Sequence, residues 1–153
     1  MRFSLSKAVT GDVKPIHACL LSAAADGLLL PRSLSQIYSH VRDFYVARDE
    51  DGGFAGCCAL SIVWDDLAEI RSLYVKDEFR GSGLGRVLVN TCIDEGKTMG
   101  IRRVFTLTYV TDFFGRMNFK EVPKDILPQK IWSDCINCPK FPDCDEIAML
   151  IEV

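Results

Sequence analysis

The stretch Arg80-Gly81-Ser82-Gly83-Leu84-Gly85 places three glycines and one arginine at the predicted start of a helix. Glycine lets several backbone N–H groups converge on one anion, and a helix N-terminus adds partial positive charge. Gly81, Gly83 and Gly85 remove Cβ atoms that would block close approach, and Arg80 adds a cation at the loop mouth. The pattern favours a pyrophosphate site over a flexible turn only if the neighbouring elements agree with it.

The segments before and after the loop predict a mixed α/β chain. Before it we expect strands at residues 3–8, 44–48, 54–64 and 67–75, with helices at about 12–25 and from Ser33; the last three strands form an antiparallel meander. After it we expect a helix at 83–99, a strand at 101–108, a short helix at 112–117 and strands from Phe119 and at 147–151. The loop therefore follows the fourth strand, whereas a Rossmann loop follows the first and a Walker loop ends in Gly-Lys-Ser/Thr.

Length and charge limit the classes of protein. The chain has 153 residues, 48% of them hydrophobic and 25% charged, which predicts one globular domain over residues 1–153. The net charge of -3 argues against a nucleic-acid partner. No apolar run approaches the ~20 residues needed to span a bilayer, and the polar N-terminus is unlike a signal peptide. We therefore expect a cytoplasmic protein with no membrane partner.

The loop resembles the acyl-CoA pyrophosphate motif of GNAT acetyltransferases, in which Arg or Gln precedes two residues, Gly, one residue, and Gly or Ala. Arg80, Gly83 and Gly85 fill these positions, and the aromatic run at residues 113–119 resembles the family's helix before its sixth strand. The resemblance implies the GNAT acyl-CoA N-acyltransferase fold, of α/β (α+β) class, with a mixed, mostly antiparallel central sheet flanked by helices. It also implies acetyl-CoA as co-substrate and no required metal.

Longer matches resemble the short, free-standing N-acetylglutamate synthases of arginine biosynthesis. They cover residues 67–73, 104–109 and 127–130 and the tail at 132–146. They imply a small-molecule acceptor, glutamate, and are compatible with a homodimer. Another amino acid, a polyamine or a protein N-terminus stays open as acceptor, and so does a non-catalytic acyl-CoA or metal-sensing module.

Glu69 is the candidate general base. It lies in a strand predicted to be central, where an ionised carboxylate is costly unless it lines a wet cleft or has a partner; in the resembling family an acidic residue here acts through water. The other reading is a structural ion pair with Arg71, which projects from the same face of the strand. Arg71 could clamp a substrate carboxylate, with Arg32 and Lys130 either adding cations or remaining surface charges.

The resemblance implies that backbone N–H groups at residues 73–75 bind the pantetheine arm. The expected cofactor-binding residues are Leu73, Tyr74, Val75, Arg80, Gly81, Ser82, Gly83, Leu84, Gly85 and Phe114. Phe114 occupies the position of the family's usual tyrosine general acid and has no proton to give. Tyr109 or a water molecule replaces that acid, or the thiolate leaves unassisted.

The seven cysteines are an odd number, which argues against a disulfide framework. Cys135, Cys138 and Cys144 have the spacing of a metal knuckle, but a structural zinc site needs four ligands. We therefore favour a proline-braced loop with free thiols there and predict no metal site.

Overall fold

A computed structural model describes residues 2–27, 32–127 and 146–153. Within them the helices are α1 (Val13–Ala25), α2 (Leu34–Ser39), α3 (Leu84–Thr98) and α4 (Thr111–Arg116). The strands are β1 (Ser4–Lys7), β2 (Phe44–Arg48), β3 (Phe54–Ile62), β4 (Leu67–Val75), β5 (Arg103–Thr108), β6 (Lys120–Glu121) and β7 (Ile147–Glu152). Short 3₁₀ turns cover Thr10–Asp12, Val41–Asp43, Asp77–Phe79 and Lys124–Ile126.

The seven strands of the described residues form one sheet in the order β1-β2-β3-β4-β5-β7-β6. Only the β4–β5 pair is parallel, so the predicted mixed, mostly antiparallel sheet and its meander are confirmed. β3 ends two residues before the predicted Trp64, because the backbone N–H groups of Val63 and Trp64 both donate to the carbonyl of Leu67 in the hairpin turn.

Each face of the sheet carries its own apolar packing. The back face packs on α3 and α4 and holds the largest cluster, which includes Leu60, Ile70, Leu88 and Phe114. Among the described residues, the front face carries two separate clusters. The first lies under α1 and α2 and includes Ile16, Ile37, Phe44, Val46, Cys57 and Ala59. The second consists of Leu67, Phe105, Leu127 and Ala148.

Polar side chains interrupt the front face between these two clusters. Leu67 belongs to the second cluster, and Glu69 and Arg71 follow it at the two-residue period of a strand. In the β3–β4 ladder, Arg71 pairs with Ala59, a residue of the first cluster, and Glu69 pairs with Ser61. The front of β4 therefore presents a charged pair flanked on both sides by apolar packing.

A bulge in β4 changes which residues face forward. Arg71 pairs with Ala59 and Tyr74 pairs with Cys57, so two β4 residues, Ser72 and Leu73, stand opposite one β3 residue. Ser72 has a left-handed φ of 54°. After the bulge Leu73 and Val75 pack against the back cluster, whereas Tyr74 packs against the front one.

Candidate active site

The glycines of residues 80–85 serve two different purposes. Gly81 and Gly83 have φ values of +80° and +88°, and a Cβ at either position would meet nothing within 4 Å. The left-handed backbone therefore favours glycine at both positions. The expected close approach of a pyrophosphate to this loop stays a prediction. Gly85 lies against an aromatic ring, because a Cβ at this position would lie 3.3 Å from Cζ of Phe113.

The loop delivers the first turn of α3 to the end of β4. The Ser82 hydroxyl donates to the carbonyl of Phe79 at 2.5 Å and accepts from the N–H of Leu84 at 3.3 Å. The N–H of Val87 then donates to the carbonyl of Gly83 at 3.2 Å, within α3. N–H groups of a first helical turn have no intrahelical acceptor, so this turn can bind an anion.

Arg80 stands at the mouth of the loop with its charge near the surface. Its Nη2 lies 3.1 Å from Oδ1 of Asp77, and the two side chains are 53% and 86% exposed. Such a pair is weak in water, so the guanidinium can exchange a carboxylate for a phosphate.

A cleft opens where β4 and β5 separate. Their ladder runs from the Leu67–Arg103 pair only to the Glu69–Phe105 pair. Beyond it the Thr106 hydroxyl donates to the backbone carbonyl of Ile70 at 3.0 Å. The parallel strands end at the same edge of the sheet as residues 80–85, so the cleft leads towards that loop.

Backbone groups of β4 line this cleft. The N–H of Lys76 donates to the carbonyl of Ala55 on β3 at 2.9 Å. Because successive residues of a strand direct their N–H and C=O groups to opposite sides, those of Val75 point away from β3. They therefore point to the side on which β5 has separated.

Glu69 and Arg71 form an ion pair on the front face. Nε of Arg71 lies 3.3 Å from Oε1 of Glu69, and the side chains are 15% and 12% exposed. Nη1 of Arg71 also donates to the Ser61 hydroxyl at 3.4 Å. An ion pair with Arg71 is one of the two roles predicted for Glu69 from the sequence. That ion pair is present, and it offsets the cost of burying the Glu69 carboxylate.

A second acidic group, to which the sequence analysis gave no role, lies near Arg71. Asp43 precedes β2, and its Oδ2 lies 3.3 Å from Nδ1 of His40. Partial burial raises the pKa of the Asp43 carboxyl, while His40, Lys7 and Arg71 act in the opposite direction. The signal in the sequence was weak, because only the return of the chain through α2 brings this turn to the sheet.

The two adjacent aromatic residues of α4 differ in burial, since Phe113 is half-buried and Phe114 is buried. Phe114 is only 2% exposed and packs edge-on against Phe113 and Phe119, with ring centroids 5.0 and 5.1 Å away. The ring of Phe114 therefore fills the core, and its expected place beside the cofactor stays a prediction. Phe113 is the ring that lies against Gly85.

Two other sequence candidates, Tyr109 and Arg32, belong to the described residues, and the remaining ones lie outside them. Tyr109 is half-buried and follows β5 directly, at a position that the strand period assigns to the front face with Phe105. Arg32 is half-buried and precedes Ser33, the N-cap of α2. Lys130, Cys135, Cys138 and Cys144 lie outside the described residues.

Within the described part of the chain, Cys19, Cys57, Cys58 and Cys92 are free thiols, and no group of three or more His, Cys, Asp or Glu side chains could hold a metal ion. Among the same residues, no helix combines the length and apolarity required to cross a bilayer.

Comparisons with known proteins agree with this geometry. Residues 21–119 match the model of the acetyltransferase (GNAT) family. An uncharacterized N-acetyltransferase of Chlorobaculum tepidum is 50% identical over 139 residues, which are 91% of this chain and 89% of that protein. The amino-acid acetyltransferase of Mycobacterium tuberculosis is 36% identical over 118 residues, covering 76% of this chain and 67% of the relative.

Among solved structures, the chain is similar to the N-acetylglutamate synthase of Neisseria gonorrhoeae complexed with coenzyme A and N-acetyl-glutamate. The TM-score is 0.89 at 25% identity, and the match covers 99% of this chain but 35% of the synthase chain. The chain thus spans about a third of that synthase's length. Family model, relatives and fold agree, and the chain is an N-acetyltransferase that belongs to the GNAT family.

Proposed function

We propose that this chain transfers the acetyl group of acetyl-CoA to the α-amino group of L-glutamate, the first step of arginine biosynthesis. The observation that carries the proposal is the charged pair Glu69–Arg71, which stands on the front of β4 where its ladder with β5 ends. The synthase of Neisseria gonorrhoeae, similar over 99% of this chain, supports glutamate as acceptor. The Mycobacterium tuberculosis relative supports an amino acid.

The donor half of the site is built from the glycine loop and the edge of β4. Arg80 and the first-turn N–H groups of residues 84–86 bind the pyrophosphate. Ser82 holds the loop closed, and Gly81 and Gly83 provide its left-handed turns. Phe113 borders the loop at Gly85.

The thioester meets the backbone of residues 73–75. The N–H group of Val75 faces the cleft after the bulge, and an N–H group of this segment polarises the thioester carbonyl. Tyr74 contributes its backbone alone, because its side chain packs on the front cluster.

The acceptor half uses Glu69 and Arg71. The substrate α-carboxylate forms hydrogen bonds with the guanidinium of Arg71. The ion pair between Arg71 and Glu69 is thereby weakened, and the Glu69 carboxylate becomes more basic. Glu69 accepts a proton from the ammonium group through water, and the free amine attacks the thioester carbon. As the C–S bond breaks, the attached nitrogen gives up its second proton to water. The thiolate takes a proton from Tyr109 or from water, and a tyrosinate left at Tyr109 is reprotonated by water. Arg32 and Lys130 add positive charge near the acceptor.

One observation favours a second acceptor class. Asp43 and Glu69 place two carboxylates near Arg71, and this arrangement suits a second ammonium group, as in a polyamine. The acceptor panel therefore includes spermidine.

The test is a thiol-release assay with acetyl-CoA, the twenty amino acids and spermidine. Glutamate is expected to give the highest kcat/KM, and Glu69→Gln is expected to lower kcat by about 10²- to 10⁴-fold, the usual contribution of a general base. Glu95→Gln is the matched control, because Glu95 forms an ion pair with Lys7 at 3.0 Å on the back face. Higher turnover with spermidine would contradict the acceptor, and full activity of Glu69→Gln would remove Glu69 as base.

The remaining expectations stay predictions: a single domain over residues 1–153, a cytoplasmic location and a homodimer. Size-exclusion chromatography with light scattering checks the last of these.

A further inference from the structure

Thr106 makes an unusual connection at the point where the cleft begins. Its side chain is 3% exposed, and its hydroxyl donates to the carbonyl of Ile70 at 3.0 Å. Ile70 follows Glu69, the last β4 residue in the ladder with β5. A side-chain hydrogen bond thus replaces the backbone bond that a continued parallel ladder would form at this step.

The backbone of Thr106 is held on its other side. Thr106 pairs with Met149 on β7, within a ladder that continues to the Thr108–Ile147 pair. β5 therefore stays fixed to β7 while β4 moves away from it, and the Thr106 hydroxyl spans the first step of the gap. Its position sets how far the two strands have separated at Ile70.

Ile70 lies between the two charged residues of the acceptor half. Its peptide groups connect it directly to Glu69 and Arg71, whose side chains project to the front, while the Ile70 side chain is buried in the back cluster. Fixing the Ile70 carbonyl therefore fixes the backbone that carries both charges. The buried Thr106 hydroxyl keeps the Ile70 carbonyl in place, because breaking the hydrogen bond would leave a buried acceptor unsatisfied.

We propose that Thr106 is a positioning residue for acetyl transfer: its hydroxyl sets the width of the β4–β5 cleft and the orientation of Glu69. It touches neither substrate. For its effect on turnover the proposal rests on the function proposed above, whereas its effect on coenzyme binding does not depend on the acceptor.

Thr106→Val and Thr106→Ser separate the hydroxyl from the methyl group. Valine keeps the shape and loses the donor, so the Ile70 carbonyl loses its partner and the cleft relaxes. We expect Thr106→Val to weaken coenzyme A binding about fivefold and to lower kcat about tenfold, corresponding to the loss of one buried hydrogen bond. Thr106→Ser keeps the donor and is expected to stay within about twofold of wild type in both.

Thr91→Val is the matched control, because the Thr91 hydroxyl also donates to a backbone carbonyl, that of Val87 at 2.8 Å, on the exposed side of α3. The measurements are the coenzyme A Kd by titration calorimetry, kcat and KM by thiol release, and Tm to show that each variant is folded. Loss in Thr106→Val with recovery in Thr106→Ser supports the proposal.

Wild-type affinity and kcat in Thr106→Val would overturn it, and so would equal loss in both Thr106 variants, which would point to packing of the methyl group. If the wild-type protein acetylates no acceptor of the panel, the proposed function fails. The coenzyme A affinities of the three variants then still decide whether Thr106 sets the width of the cleft.

Discussion

Gly56→Ala tests whether the donor half of the site depends on close contact between β3 and β4. Gly56 is buried opposite Val75, and a Cβ at this position would lie 2.5 Å from the backbone carbonyl oxygen of Tyr74 and 3.3 Å from Cδ1 of Leu88. A carbon and a carbonyl oxygen normally meet at ~3.3 Å or more, so the β4 backbone must retreat by about 0.8 Å. The displaced segment is the one proposed to bind the pantetheine arm.

The expected loss of stability in Gly56→Ala depends on which atom the new Cβ meets. Overpacking a core costs ~1–3 kcal/mol, and the upper end applies here because a backbone atom cannot change rotamer. At ~2–4 °C per kcal/mol for a chain of this size, we expect Tm to fall by about 6–12 °C. We also expect coenzyme A to bind about tenfold more weakly, because residues 73–75 no longer align with the loop.

The assays are thermal unfolding by circular dichroism and calorimetric titration with coenzyme A. Gly11→Ala is the control, because a Cβ there meets nothing within 4 Å and its φ is not left-handed. It is expected to keep both Tm and affinity. A Gly56→Ala protein with the Tm and the coenzyme A affinity of the wild type would refute the reasoning.

Two further variants probe the cofactor loop and the back face. Asp77→Asn releases Arg80 from a carboxylate 3.1 Å away, and we expect it to tighten coenzyme A binding two- to fivefold. The gain should shrink with added salt and should exceed that of the control variant Glu78→Gln. Weaker coenzyme A binding in Asp77→Asn would contradict this prediction. Burial and the hydrogen bond to Glu95 at 2.8 Å raise the pKa of Tyr45 to about 12, so the neutral form stabilises the fold below about pH 10 and this contribution is lost as the pH rises towards 12. Tyr45→Phe should remove one late step from the tyrosinate absorbance titration, whereas Tyr38→Phe should leave that step in place.

Much of the fold could be predicted because turn residues mark the strand ends clearly. The bounds of β2 and β4 agree with the prediction, since Asp and Gly residues at 49–53 and the pair Asp65-Asp66 separate runs of apolar residues. The place of the glycine loop after the fourth strand was predictable from the same count of elements. These features depend on local sequence alone.

The site details that could not be predicted depend on long-range contacts. No glycine marks the bulge at Ser72, a serine with left-handed φ that only the pairing of β3 with β4 reveals. α4 has six residues, less than two turns, so the sequence could not decide which of the adjacent Phe113 and Phe114 faces inward. Asp43 comes near Arg71 only because α2 returns the chain to the sheet.

The bulge at Ser72 divides β4 into two parts that can be changed separately. Residues before it present their charges to the front, whereas Leu73 and Val75 after it pack towards the back. Mutational libraries at Ser61, Glu69 and Arg71 could therefore explore new acceptors while coenzyme A affinity serves as an unchanged reference. Deleting one residue at the bulge would remove this independence, because each later side chain of β4 would move to the opposite face of the sheet.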